Sequence, residues 1–202
     1  MTMPSDRRRL FPLNRVMTWL MAALLSLAPC GAQALADPLT TRQQLESAYV
    51  YNFLLFAHWP QEEQVLDSAV MTICIVGDDS FAELFAPVAG KAIKGTRYTL
   101  AIRMVRAPIN PLELTGCVLL YLGEGARHYL PDILAQTKAL PILTVSNQPD
   151  FAAAGGMIGL VERNGKLRWQ INQDAASEAG MRLDAQLLRN AEAVIGGGQE
   201  DR

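Results

Sequence analysis

The sequence predicts an α/β fold: one domain with a largely parallel central sheet flanked by helices, a late β-hairpin and a C-terminal helix. Three observations predict it. Short apolar runs, "VMTICIV", "YTLAIRMV", "CVLLYLG" and "PILTVSN", alternate with stretches of helical periodicity, the order of a sheet built from strand–helix units. These runs are almost continuously apolar, as strands buried on both faces are. Beyond residue 155 the pattern changes to a period of two around Asn164-Gly165, a type I′ hairpin turn signal.

The first 36 residues do not belong to that domain. Arg7, Arg8, Arg9 and Arg15 precede the uncharged run "VMTWLMAALLSLAP", and "AQA" and "ALA" then fit the small-residue cleavage pattern. A basic start, a short apolar core and a small-residue exit specify a secretory signal peptide. The run is short for a bilayer span of ~20 residues. Cleavage after Ala36 leaves a domain over 37–195 and a disordered tail over 196–202. The leader carries off four arginines and one aspartate. Of 18 basic and 20 acidic side chains, 14 and 19 then remain, a net charge of −5. That balance argues against nucleic-acid binding, which needs a basic face. Cys74 and Cys117 are the cysteines that remain, and an even count in an exported chain suggests a disulfide. Two Cys and two His (His58, His128) show no metal-ligand spacing.

Within the domain, Thr40 or Thr41 can cap a helix through "RQQLESAYVYNFLLFAHW". Leu45, Ala48, Tyr49, Asn52, Leu55, Phe56 and Trp59 recur at helical spacing and form one broad stripe. Pro60 ends the helix near Trp59. On this reading Asn52 ties the helix to a buried backbone group. Phe53 and Leu54 fall off the stripe and, if exposed, are candidates for a dimer or partner contact. A strand over 70–76 follows. Asp78 or Asp79 caps a helix through Phe81, Leu84 and Phe85. Strands are expected at 98–105, 117–123 and 141–147, with a helix inside "EGARHYLPDILAQTKA". The hairpin "GGMIGLVERNGKLRWQIN" buries Leu167, Trp169 and Ile171 and exposes Lys166, Arg168 and Gln170. "DAASEAGMRLDAQLLRNAEAV" closes the domain as a helix begun by Asp174 or Ser177, with Leu183, Leu187, Leu188 and Ala191 packing inward.

No catalytic constellation stands out. There is no G-x-S-x-G, no dinucleotide fingerprint and no Walker A pattern. Asp78 and Asp79 at a helix start read as a cap and dipole complement before they read as a carboxylate pair. Ligands of parallel sheets gather at the carboxyl ends of strands. Those ends carry "GDDS", "GEGAR" and "SNQPDF", so Asp78, Ser80, Ser146 and Asn147 are the candidate ligand-binding side chains. Arg163 and Arg168 flank the hairpin turn and could grip an anionic ligand or an acidic partner.

"AYVYNFLLFAHWP", "ICIVGDDSF" and "GGMIGLVERNGKLRWQINQDAASEAGMRLDAQLLRNA" together resemble the YfiR family over about 45 to 195. The resemblance implies an α/β homodimer resident in the periplasm that is not an enzyme and needs no cofactor. It implies binding to the sensory domain of an inner-membrane diguanylate cyclase of the YfiN type, which is held inactive. An outer-membrane YfiB-like lipoprotein would release the cyclase, raising cyclic di-GMP and with it exopolysaccharide and biofilm. Cys74 and Cys117 look like the family's principal disulfide, and a second family disulfide has no counterpart in this chain. The aromatic helix departs from the family pattern. Glu46 lies near where many members have lysine, and "LLF" replaces "KF" or "KY". The alternative reading is a periplasmic small-ligand-binding sensor module.

Overall fold

The computed structural model describes residues 38–60 and 69–197. The expected leader over 1–36, its exit at Ala36 and the tail beyond 197 lie outside the described residues. The elements are α1 (Pro38–Phe56), β1 (Ala57–His58), β2 (Val70–Val76), α2 (Asp79–Glu83), β3 (Thr99–Val105), β4 (Cys117–Leu122), α3 (Leu130–Thr137), β5 (Leu143–Ser146), β6 (Ile158–Arg163), β7 (Lys166–Asn172), α4 (Gln173–Glu178), β8 (Arg182–Leu183), α5 (Ala185–Arg189) and β9 (Ala193–Ile195). Three-ten turns occupy Pro111–Leu114 and Glu124–Tyr129.

Among the described residues, seven strands form the main sheet in the order β3-β2-β4-β5-β6-β7-β9. The five strands from β3 to β6 run parallel, β7 returns antiparallel to β6, and β9 pairs parallel with β7. The fold class thus holds. The inner strands β2, β4 and β5 are buried on both faces, whereas the edge strand β3 exposes Arg103 and Met104. Ile73, Ile75, Leu119, Tyr121, Val145 and Ile158 face a core closed by α1, Phe81 and Phe85. Cys74, Val76, Leu120 and Leu122 face a second core with Ile133 of α3 and Phe151. Alternate residues of one strand supply the two cores, as the period of two requires.

Helix α1 buries a different face from the one expected. Glu46, Val50, Phe53, Leu54 and Ala57 are buried, while Leu45, Ala48, Asn52 and Leu55 are exposed. The helix is apolar almost all round, so periodicity marks no single face. Phe53 and Leu54, at 2 % and 4 % exposure, lie in the core and present no surface to a partner. Asn52 is exposed and does not tie down a buried backbone group. The helix begins at Pro38, ahead of Thr40 and Thr41, and proline fits a first helical turn, where its missing N–H costs nothing. It stops at Phe56 rather than Trp59, because Ala57 and His58 extend to pair with Leu183 and Arg182.

The C-terminal helical segment comes in two pieces. Asn172, rather than Asp174 or Ser177, caps α4 by accepting from the Ala175 N–H at 2.9 Å. Gly180, at φ 71°, turns the chain out of that helix. Asp184 caps α5 through the Gln186 N–H. Ala193 and Val194, expected to end the C-terminal helix, instead form β9 with Ile195 against β7. Gly197, expected in the tail, donates its N–H to Asp174 Oδ1 at 3.0 Å.

Candidate functional site: a projecting ribbon and the network beneath it

The sheet reverses its direction of winding between β2 and β4, the place where open parallel sheets bind ligands. Here that place is filled by the chain itself. The Gly123 N–H donates to Val76 O at 2.8 Å, and the Gly125 N–H to Gly77 O at 3.0 Å. A Cβ on Gly77 would fall on the Gly125–Ala126 backbone, and one on Gly123 on the Asp78 Cβ. The glycines are needed because two backbones touch.

The four expected ligand-binding side chains are all engaged within the chain, three of them around these loops and Asn147 elsewhere. Asp78 Oδ1 accepts from the Phe81 N–H at 2.9 Å and from the Ser80 hydroxyl at 2.7 Å, so both residues start α2. Ser146, fully buried, donates to Leu122 O at 2.6 Å and accepts from the Gln148 N–H. Gln148 in turn donates to Gly123 O at 2.8 Å. Asn147 is turned toward α1, donating its amide to Glu46 Oε2 at 3.0 Å. The structure brings Asp78 and Ser80 together and sends Ser146 and Asn147 to separate partners.

Glu46 is the polar residue that pattern reading missed. It is fully buried midway along α1. Its carboxylate accepts from Arg42 Nε at 2.9 Å, from Asn147 and, over a long 3.4 Å, from the Tyr121 hydroxyl. Three donors offset much of the cost of burying the charge. The arginine's bond to Glu46 holds its pKa above the ordinary value. Burial first, then the negative charges of Glu46 and Asp78, push the Tyr121 phenol well above the ordinary tyrosine range. Arg42 also reaches Glu162 of β6 at 3.0 Å. A single chain of polar contacts thus runs from the sheet core, through α1, to the hairpin. The available signal in the sequence was a lone carboxylate four residues after an arginine, at the head of a long uncharged run.

That hairpin outruns its neighbours. β6 meets β5 only at Ile158 and Gly159, and β7 meets β9 only from Gln170 onward. Residues 160–169 therefore form a two-stranded ribbon, turned by Asn164 and Gly165 at φ 52° and 69°. The I′ turn is as expected. The ribbon is held on one face. Leu160 and Leu167 lie in the core and Glu162 meets Arg42. Trp169 packs edge-on against Tyr49 and Phe53 at 5.3 and 5.9 Å, and its Nε1–H donates to Leu187 O. By strand alternation, the opposite face carries Val161, Arg163, Lys166 and Arg168. The three basic residues are exposed and form no ion pair among the described residues.

Two depressions mark the surface, one of them beside the ribbon. One of about 120 Å³ lies between α1, Trp169 and α5. The other, about 430 Å³, lies on the α3 side, with Leu134, Met157 and Ile195 lining it alongside Lys138 and Glu178, which pair at 3.0 Å. Cys74 and Cys117 form a disulfide between β2 and β4, with Cα atoms 5.8 Å apart. The cysteines sit diagonally, since Cys117 lies opposite Thr72 next to a bulge. No helix of the described residues is long and apolar enough to cross a membrane.

Comparison with known proteins adds the family. No curated protein matches the chain. Among solved structures, the ABC domain in complex with L-Trp from Streptococcus pneumonia is 12% identical, with a TM-score of 0.48 over 68% of this chain and 59% of that one. A conserved domain protein from Vibrio cholerae O1 biovar El Tor is also 12% identical, with a TM-score of 0.45 over 72% and 60%. The chain spans about three fifths of the length of each. The model of the YfiR/HmsC-like family matches residues 43–192, from within α1 to just short of β9, and the chain belongs to that family.

Proposed function

We propose that the chain is a periplasmic regulator of cyclic di-GMP signalling, exported with loss of a leader near Ala36. It binds the periplasmic sensory domain of an inner-membrane diguanylate cyclase and holds it inactive. Cyclic di-GMP, biofilm and exopolysaccharide output then fall. Membership of the YfiR/HmsC-like family over residues 43–192 carries this reading, since the family suggests regulation rather than catalysis. A binder works here by linkage: it favours one state of the cyclase by the difference in its affinity for the two. The acting form is a homodimer, and an outer-membrane YfiB-like lipoprotein competes for it. Deleting the gene should raise cellular cyclic di-GMP, and co-purification should recover a membrane cyclase. An unchanged cyclic di-GMP level after deletion would sink the reading.

The cleft of about 430 Å³ supports a second reading, a small-ligand sensor, since ligand sites fall in the range of roughly 300–1,000 Å³. The Lys138–Glu178 pair at its rim offers both charges to a ligand. A screen of amino acids, nucleotides and aromatic metabolites should then raise the melting temperature for one class. A flat screen removes this reading.

A further inference from the structure

We infer that the outer face of the 160–169 ribbon is the docking surface for an acidic protein partner, with Arg163, Lys166 and Arg168 as its contacts. This rests on the regulatory reading above and names the surface that performs it.

The first ground is that the charges are placed against the ribbon's own interest. Arg163 and Lys166 are directly opposite across the strands. Such pairs hold their Cβ atoms about 5 Å apart, and like charges there destabilise a hairpin. Arg168 follows Lys166 by two positions on the same face, a further ~7 Å along the strand. The one carboxylate on the ribbon, Glu162, points the other way and is taken by Arg42.

The second ground is contrast with the rest of the domain. The residues that follow the expected leader carry a net charge of −5. A compact cationic face on an acidic body orients an approaching acidic partner and repels it elsewhere.

The third ground is mechanical. A free two-stranded ribbon is marginally stable. This one is braced by Leu160, Leu167, Trp169 and the Glu46–Arg42–Glu162 chain of contacts. The cations are therefore presented at a fixed spacing, and a partner loses less freedom on binding them.

These observations favour a protein over an anionic bilayer. Three charges hold a chain to a lipid surface only weakly, and the acidic body opposes it. The face also offers no exposed large apolar residue to insert, Val161 being half-buried.

The test uses the mature chain as wild type, as R163E/K166E/R168E, and as K91E/K94E, which reverses two exposed lysines elsewhere. Each is assayed for capture of the purified membrane diguanylate cyclases of the same cell, and for sedimentation with phosphatidylglycerol vesicles. Melting curves establish that all three fold alike. The ribbon variant should lose at least tenfold in capture, K91E/K94E should lose less than twofold, and added salt should weaken the wild type toward the ribbon variant. If wild type and ribbon variant are captured equally, the docking surface is elsewhere and the regulatory reading stands. If the wild type captures no cyclase, the regulatory reading falls and this inference with it. Sedimentation of the wild type with vesicles, lost in the ribbon variant and without cyclase capture, makes the face a lipid contact and overturns the proposal.

Discussion

At the β2–β4 end of the parallel array, the loops leaving the strands close on each other. At the β6–β7 end, two strands run on past their neighbours and leave a face in solvent. The first region spends its polar groups internally: Asp78 on a helix start, Ser146 and Gln148 on backbone carbonyls, Gly123 and Gly125 on the facing loop. The second spends one face on packing and keeps three exposed cations that form no ion pair among the described residues. A fold's customary ligand site is therefore not where this chain offers chemistry. Position in a topology proposes a site, and the hydrogen-bond accounts of its residues decide whether anything is left to bind with.

The predictions follow that contrast from the tightly closed end outward. Cys74→Ser removes a disulfide closing a loop of 43 positions, and chain entropy puts the loss at about 4 kcal/mol. Chemical denaturation of the variant should show it, and reductant should lower the melting temperature of the wild type alone. Gly77→Ala forces a side chain onto backbone at φ 74°, which costs about 3 kcal/mol from strain and overpacking together. An alanine that leaves the urea midpoint unmoved would mean that the two loops do not touch.

Arg42→Met tests the link between the regions. It strands the buried Glu46 carboxylate with Asn147 and Tyr121 as its remaining donors. The expected loss is about 2 kcal/mol, below the value for a fully buried pair because the Arg42 side chain is 41% exposed. Amide exchange should also speed up across residues 160–169. Exchange there equal to wild type would show that the ribbon does not depend on Arg42.

Tyr121→Phe should cost about 1 kcal/mol at neutral pH. Its pH dependence carries a definite sign. The phenol's pKa is raised in the folded state, so folding favours the neutral form. That contribution is complete below the unfolded value of about 10 and is lost as pH rises above it. The wild type should therefore lose stability more steeply than the variant above pH ~10. Parallel alkaline limbs would contradict this. The smallest effect on stability belongs to R163E/K166E/R168E, within about 0.5 kcal/mol, as for surface changes generally, even though it should have the largest effect on binding.

Much of the architecture was legible. Short continuous apolar runs rich in Val, Ile and Leu fit strands buried on both faces, and Asn164-Gly165 gives the I′ turn because its dihedrals suit few other pairs. Asp78 was legible as a cap. The face of α1 was not, since Leu45, Phe53, Leu54 and Leu55 look alike to a periodicity argument. Glu46 was read only as a departure from a family pattern. Its burial depends on Tyr121 and Asn147, which are distant in sequence and adjacent in space.

What the sequence determined by itself is local: strand runs, caps and the hairpin turn. Each depends on residues within a few positions of one another, where sterics and hydrogen bonding act without the rest of the fold. Only the tertiary structure decided which side of α1 is inside and that the loops at the sheet's switch point fill it. It also settled that the C-terminal helix breaks at Gly180 to let β9 join the sheet, and that Arg163, Lys166 and Arg168 share one exposed face. Those outcomes turn on contacts between distant segments, and burial, unlike propensity, is a property of the whole packed chain.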